Sequence, residues 1–211
     1  MFGELTSRTE GGVELDVLVW RLDQPMLVAS TAINGGGLGP RHWILNAEVP
    51  NDYGRVDGEQ HVAELAAVLG LDGPGVGMLT AAHVRHHQRS SDGGVDVEVT
   101  VGLSHPTWAA SDEVGEVVVT LPGTINIVAL LPVRLEDGAL LNAVVSATEA
   151  KSQALWEASI PATGTPSDAV CVVCPLDGGP ERFGGPRSLW GARLARSVHQ
   201  AVLAGARQWA P

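Results

Sequence analysis

The sequence predicts an α+β fold: a single domain over residues 1–211, with a mainly antiparallel or mixed sheet packed with about three helices. Three observations support this prediction. Apolar runs typical of strands come in blocks, whereas parallel βαβ units would alternate strands with helices one by one. Few segments have helical periodicity. No internal repeat, linker or low-complexity tract divides the 211 residues, a length that supports one sizeable core.

The predicted strands follow the apolar runs along the chain. "VELDVLVWRLDQPMLVAS" contains two runs broken by "DQP", which predicts a hairpin, and "HWILNAEV" predicts a third strand. "VGMLTAAHV" and "VDVEVTVGLS" flank the turn-rich "SSDGG", which predicts a second hairpin. "EVVVTLPGTINIVALLPV" predicts two strands around Pro122 and Gly123, and "DAVCVVCP" predicts the last one.

Three segments are predicted to be helices. In "DGEQHVAELAAVLG", Asp57 is a candidate N-cap, Gln60 is placed for a capping box, and Gly70 marks the end. A long helix runs from about Asp137 to Ser159. The closing helix is "SLWGARLARSVHQAVLAGARQWA", with Ser188 as its candidate cap.

Charge and composition exclude several classes of function. Lys plus Arg total 13 against 24 Asp plus Glu, so the net charge of -11 would repel nucleic acid and anionic membranes. The longest apolar stretch, "INIVALLPV", is too short to span a membrane, and the first residues lack the pattern of a secretion signal. Two cysteines do not make a disulfide framework. We therefore expect a cytoplasmic protein with free thiols.

The only lysine of the chain, Lys151, falls on the apolar face of the long helix. At about 100° per residue it lies between Ala147 and Leu155, and Thr148 and Ser152 share the same arc. It could pass the edge of the core and reach solvent, or it could line a pocket. Burial would disfavour its charge unless a carboxylate pairs with it.

Two Gly-Thr turns make the pocket interpretation the stronger one. "GTINIVALL" and "ATGTPSDAV" each place small polar residues directly before a strand, where backbone N–H groups and hydroxyls can meet at one site. We therefore expect the segments around Thr124, Lys151 and Asp168 to converge on one cleft at an edge of the sheet.

These segments resemble a known family. "GTINIVALL", "SATEAKSQAL" and "ATGTPSDAV", in this order and at about this spacing, are similar to the adenosylcobinamide amidohydrolase (CbiZ) family. "STAINGGG", "RHWILNAEVPNDY", "VTVGLSHP" and "FGGPRSLWGARLARSVHQAV" extend the resemblance over nearly the whole chain. The resemblance implies hydrolysis of an amide bond of adenosylcobinamide, which gives adenosylcobyric acid and aminopropanol in corrinoid salvage towards coenzyme B12. The corrinoid is then the substrate, and no cofactor is expected.

Chemistry, and not the resemblance, suggests the roles of individual residues. Amide hydrolysis needs an attacking oxygen, a base, donors for the oxyanion and an acid for the leaving amine. The attacker could be water or a hydroxyl of Thr124, Thr165 or Ser167, and the base could be Asp168 or Glu149. Lys151 could stabilise the oxyanion or pair with a carboxylate. The side chains that could donate to amides of the substrate are Asn46 and Asn126. Asn34 stands at the mouth of the glycine-rich "NGGGLGP" loop, which could wrap a ligand.

Two motifs suggest metal binding only at first sight. Cys171 and Cys174 are three apart in a predicted strand, so they should point to opposite faces and share no ligand. His83 and His87 in "HVRHH" would share one face only if the strand persists, and histidines near a hairpin tip are usually solvated. We therefore expect no metal site.

Two other functions compete with a corrinoid amide hydrolase. A corrinoid-binding or scavenging protein would keep the pocket without the chemistry. A self-associating structural protein would use the apolar helix face as an interface, and the sequence leaves a homodimer open. The expected partner is a small corrinoid, with neither nucleic acid nor a membrane.

Overall fold

The computed structural model describes residues 1–112 and 123–209. Within these residues, the elements in chain order are β1 (Glu4–Glu10), β2 (Val13–Ser30), β3 (Gly37–Glu48), α1 (Gly58–Val68), β4 (Gly75–Thr80), β5 (Gln88–Asp92), β6 (Val95–Val101), β7 (Ile125–Leu130), α2 (Asp137–Glu157), β8 (Ala169–Cys174) and α3 (Leu189–Trp209). The strands form one mixed sheet in the order β4-β3-β2-β8-β7-β6-β5, and β1 pairs with β2. The pairs β3–β4 and β7–β8 are parallel, and the others are antiparallel. The α+β fold with a mixed sheet and three helices is confirmed.

The sheet folds over on itself into two layers. The long strand β2 pairs with β3 along both halves, but the register shifts between Arg21 and Met26. Side chains also connect strands that are not neighbours in the sheet. Asn126 of β7 donates to Asn46 of β3 and to the Leu79 carbonyl of β4. The strands β3 and β4 therefore lie over β6 and β7.

Each layer is apolar on both faces, which explains the continuous apolar runs of the central strands. Along β7, Ile125, Ile127 and Ala129 pack on the side of α2 and α3, whereas Val128 and Leu130 face the other layer. On the far side, α1 packs its Val62 and Leu65 against β2 and β3. The order of layers is helix, sheet, sheet, helix.

The register shift in β2 corrects one prediction. "DQP" does not form a hairpin: Asp23 and Pro25 lie within the continuous strand, at the irregularity where β2 passes from one layer to the other. Proline is tolerated at such bulges because no ladder hydrogen bond is needed there. The sequence reading also missed β1, which forms a hairpin with β2 through Gly11 and Gly12, both with positive φ.

The second predicted hairpin is right at its tip and wrong in its first arm. β5 and β6 are joined through Gly93 and Gly94, whereas β4 lies at the opposite edge of the sheet. The strand predicted before Pro122 lies outside the described residues.

The helix ends confirm some capping predictions and correct others. Gly70, with φ of 63°, ends α1, and Ser188 caps α3 by accepting the Gly191 N–H at 3.1 Å. Asp57 makes no side-chain cap, since its carboxylate accepts from Arg55. Gln60 donates to Glu64 and forms no capping box.

Candidate active site

The two Gly-Thr segments meet at the end of the central strands. Because β7 and β8 are parallel neighbours and Asn126 pairs with Ala169, the loops before the two strands lie side by side. Thr124 stands directly before β7, and Asp168 directly before β8. The predicted convergence therefore occurs at the strand ends in the middle of the sheet, and not at its lateral edge.

Asp168 is the centre of this arrangement. Its Oδ1 accepts from the Ile125 N–H at 2.9 Å and from the Thr165 hydroxyl at 2.5 Å. Its Oδ2 accepts from the Thr165 N–H at 3.0 Å and forms an ion pair with Lys151 Nζ. A carboxylate offers about four acceptor positions, and protein donors fill all of them. Asp168 therefore ties the start of β7, its own loop and α2 together.

Lys151, which the helix wheel placed on the apolar face of α2, does not reach out to solvent. It is buried, with 6 % of its surface exposed, and its cation meets the Asp168 carboxylate. The chain between the two residues makes room for the pair at Gly164, where a Cβ would overlap both Asp168 Oδ2 and Lys151 Nζ. Three large apolar residues elsewhere on α2 are exposed, namely Leu141, Val145 and Trp156.

Hydroxyl groups come together beside the ion pair. The Thr124 and Ser167 hydroxyl oxygens are 2.7 Å apart, and Ser167 also donates to the Gly123 carbonyl at 3.3 Å. Thr124 is buried and Ser167 is exposed. Among the described residues neither hydroxyl contacts a basic side chain.

A chain of buried amides continues from β7 into the other layer. Asn126 uses its amide hydrogens on Asn46 Oδ1, at 2.9 Å, and on the Leu79 carbonyl, at 3.1 Å. Asn46 in turn donates to the Thr100 hydroxyl at 2.9 Å. Asn126 thus has both amide hydrogens engaged and Asn46 has one of its two engaged. Asn126 offers a ligand its side-chain oxygen, to which none of the described residues donates.

These groups open onto a cavity of about 520 Å³ between the ends of the two layers. Its polar lining includes Thr80, Thr124, Asn126, Ser167 and Asp168. The remaining lining is largely apolar, and includes Ile33, Val49, Val56, Val62, Met78 and Leu79. A cavity of this size and composition is typical of a small-molecule site.

The structure separates the other predicted residues by their distance from this cavity. Lys151, Thr165 and Asn46 lie behind the lining and hold it. Asn34 stands beside the cavity, where its amide donates to the Glu59 carbonyl at 3.0 Å.

Glu149 does not reach the cavity. It is exposed in a groove between α2 and α3, near His199. Residues two apart on a helix point in different directions, which separates Glu149 from Lys151.

The motifs that suggested metal also prove to be spread apart. Cys171 and Cys174 are buried on opposite faces of β8, as predicted. His83 and His87 lie on either side of a short 3-10 turn. His83 Nδ1 is 2.9 Å from Glu48 Oε1, whereas His87 Nε2 is 3.4 Å from Glu98 Oε1. Among the described residues no three potential ligands of this kind form a cluster.

Tyr53 and Arg55 are among the lining residues that sequence reasoning missed. Both belong to the loop between β3 and α1, which carries no pattern of strand or helix. One signal was available: Tyr53 is the only tyrosine in the chain. None of the six tryptophans, all within the described residues, is among the lining residues.

Comparisons with known proteins place the chain in a family. The family model for adenosylcobinamide amidohydrolase (CbiZ) matches residues 3–211. The adenosylcobinamide amidohydrolase of Methanosarcina mazei is 29 % identical over 185 residues, which cover 83 % of this chain and 88 % of that protein. The enzyme of the same name from Halobacterium salinarum is 33 % identical over 183 residues, covering 83 % and 78 %.

The fold has a counterpart among solved structures. The PH0078 protein from Pyrococcus horikoshii superposes with a TM-score of 0.51 at 9 % identity, over 96 % of this chain and 82 % of that one. This likeness concerns the fold alone.

Together, the family match and the named relatives define the class of the protein as a hydrolase acting on an amide bond. The chain belongs to the adenosylcobinamide amidohydrolase family. None of the helices in residues 1–112 and 123–209 combines the length and the apolar composition needed to cross a membrane.

Proposed function

We propose that the chain hydrolyses the aminopropanol amide bond of adenosylcobinamide, giving adenosylcobyric acid and aminopropanol in corrinoid salvage towards coenzyme B12. The observation that carries this proposal is the two-part cavity. Its floor presents hydroxyl and amide groups, whereas its rim exposes two aliphatic side chains, Ile33 at 78 % and Val56 at 102 %. Such a site suits a ligand with a polar arm and a broad apolar body.

The volume decides which part of the substrate enters. At about 520 Å³ the cavity accommodates the amide-bearing arm with its aminopropanol end, but not a whole corrin macrocycle with its other side chains. The ring therefore rests at the mouth on Ile33 and Val56. We expect this arrangement to favour one amide among the several that a corrinoid carries.

The floor is suited to reading an amide. Asn126 can accept the amide N–H through its side-chain oxygen. The Thr124 and Ser167 hydroxyls are bonded to each other, so one of them can turn its proton to the carbonyl oxygen, where negative charge develops as the tetrahedral intermediate forms. The amide oxygen and the hydroxyls are held in place, because Asp168 accepts from the N–H of Ile125 at the start of β7 and from the N–H of Thr165 in the loop before β8.

Asp168 and Lys151 act in this account as positioning residues. All four acceptor positions of the carboxylate are occupied, so Asp168 is a poor base for water. Neither Thr124 nor Ser167 contacts a basic group among the described residues, so neither is activated as a nucleophile. Thr165, the third candidate hydroxyl, donates to Asp168 and is not among the lining residues of the cavity. The attacking group is then a water molecule, and the corrinoid is the substrate with no further cofactor.

Variants of the rim test the proposal. We expect Ile33→Ser and Val56→Ser to raise the KM for adenosylcobinamide about tenfold each, since burying an aliphatic side chain is worth about 1.5 kcal/mol or more. Leu141→Ser is the matched control, because Leu141 is an exposed aliphatic residue of α2 outside the cavity lining, and it should leave KM unchanged. Wild-type protein that leaves the amide of bound adenosylcobinamide intact would instead support a corrinoid-binding protein without this activity.

A further inference from the structure

The proposed mechanism lacks a base, and the lining of the cavity offers one through a chain of three residues. Tyr53 lines the cavity, and its hydroxyl lies 2.8 Å from Nδ1 of His61. The two rings are stacked, with centroids 5.4 Å apart and an interplanar angle of 23°. On the far side of the imidazole, Nε2 lies 3.3 Å from Oε2 of Glu10.

The surroundings of His61 fix which nitrogen carries its proton. His61 is buried, with 2 % of its surface exposed, in the first turns of α1. Glu10 ends β1 and accepts from the buried Arg8 at 2.8 Å. Burial alone would raise the pKa of Glu10, but Arg8 and His61 outweigh it and lower this pKa below the usual value. An ionised Glu10 favours the tautomer with the proton on Nε2, which leaves the Nδ1 lone pair to Tyr53.

Tyr53 itself remains neutral as a free group. Partial burial is the largest influence on its pKa and raises it above 10.0, against the lowering effect of Arg55. A neutral tyrosine is a weak base on its own. It can accept a proton only if its own proton leaves at the same time, and His61 Nδ1 is placed to take that proton.

We propose that Tyr53 is a catalytic acid–base residue of this enzyme and that His61 and Glu10 form the relay that operates it. This inference rests on the proposed function. As water attacks the amide carbon, one water proton passes to Tyr53 Oη while the Tyr53 proton passes to His61 Nδ1. The new C–O bond forms, the carbonyl π electrons move to its oxygen, and Glu10 stabilises the imidazolium.

The second half of the reaction runs the relay in reverse. The carbonyl re-forms and the C–N bond breaks, leaving its electron pair on the amine nitrogen. Tyr53 gives its proton to that nitrogen and regains one from His61 Nδ1. The sum is amide plus water giving carboxylic acid plus amine, with the relay restored.

The relay differs from another histidine–carboxylate contact of the chain because it reaches the cavity. His199 Nε2 and Glu157 also form a histidine–carboxylate contact at 2.9 Å, but it lies between α3 and α2, away from the cavity. His199→Gln is therefore a matched control for changes at His61.

The test measures kcat, KM and the pH dependence of kcat/KM with adenosylcobinamide. Tyr53→Phe keeps the stacked ring and removes the hydroxyl, so we expect kcat to fall about a hundredfold or more with little change in KM. His61→Gln should have a similar effect, and Glu10→Gln a smaller one. His199→Gln should keep wild-type values.

The pH profile separates a relay from a structural role. The relay operates only while it can accept a proton, so the kcat/KM of the wild type should fall towards low pH. The charged groups that bear on this site are Glu10 and Arg8 from β1, Arg55 and Asp57 from the loop between β3 and α1, and Glu64 from α1. The residual activity of Tyr53→Phe should lack this fall.

Each failure points to a different claim. Wild-type turnover together with full activity of Tyr53→Phe would overturn the relay and leave the proposed function standing. A reduced kcat with the wild-type pH profile would also overturn it, because a structural defect lowers activity without changing the titrating group. Absence of wild-type turnover would overturn the proposed function, and the relay with it.

Discussion

At the scale of single residues, the site depends on one carboxylate that the protein saturates with donors. Asp168 receives two backbone N–H groups, one hydroxyl and the only lysine of the chain. The sequence left two roles open for Lys151, to stabilise an oxyanion or to hold a carboxylate ionised. The geometry supports the second role, because the lysine lies behind the cavity lining.

Lys151→Met tests this role through stability. The variant leaves the Asp168 carboxylate without its cation in a largely buried position, so we expect the free energy of unfolding to fall by about 3 kcal/mol. Chemical denaturation followed by tryptophan fluorescence measures it. Arg196→Met removes the same charge from an exposed pair with Asp92 and should cost less than about 1 kcal/mol. Equal stability of Lys151→Met and wild type would contradict the account.

Gly164→Ala tests the space that the ion pair requires. Its Cβ would overlap Asp168 Oδ2 and Lys151 Nζ, so we expect the pair to be displaced and turnover to fall at least about tenfold. Gly138→Ala is the control, because no heavy atom lies within 4 Å of its Cβ and α2 should gain up to about 1 kcal/mol. A Gly164→Ala variant with normal turnover would mean that the pair tolerates displacement.

At the scale of elements, the pattern of polar residues within a strand was informative in β7 and misleading in β2. In β7, Asn126 is the polar exception in an apolar run, and it proved to face the other layer and the cavity. "DQP" carries the residues of a turn, but the chain uses them for the irregularity within β2. Local sequence does not distinguish a turn from an irregularity within a strand, because the passage of β2 from one layer to the other depends on its pairing with distant strands.

The strand β8 gives a prediction about its thiols. Burial raises the pKa of Cys171 to about 12 and also raises that of Cys174, so both remain protonated and poor nucleophiles at neutral pH. We expect neither to react with a thiol reagent in the folded protein, and both to react after unfolding in guanidinium chloride. Rapid labelling of native protein would show that β8 opens far more readily than its packing indicates.

At the scale of the whole molecule, the fold class, the pairing of Lys151 with a nearby carboxylate and the meeting of the two Gly-Thr loops could be predicted from sequence. The folding of the sheet into two layers could not, because it depends on contacts between strands far apart in the chain. For the same reason Tyr53 was missed. The role proposed for Tyr53 depends on its contact with His61 of α1, which in turn contacts Glu10 of β1.

The composition of the cavity predicts how the enzyme responds to chelators. The groups on its floor are hydroxyls, an amide oxygen and a carboxylate already filled by four donors, which do not make a usual set of zinc ligands. We expect turnover to persist after treatment with a chelator of divalent ions. Loss of turnover that zinc restores would show that residues such as His83 and His87 serve the reaction.

The proposed activity is the hydrolysis of one amide bond of a corrinoid. The most direct measurement is mass spectrometry of the products after purified protein is incubated with adenosylcobinamide in water enriched in heavy oxygen. We expect free aminopropanol and adenosylcobyric acid with one heavy oxygen in its new carboxyl group. Recovery of intact adenosylcobinamide, whether bound or free, would contradict it, as would cleavage at any other amide.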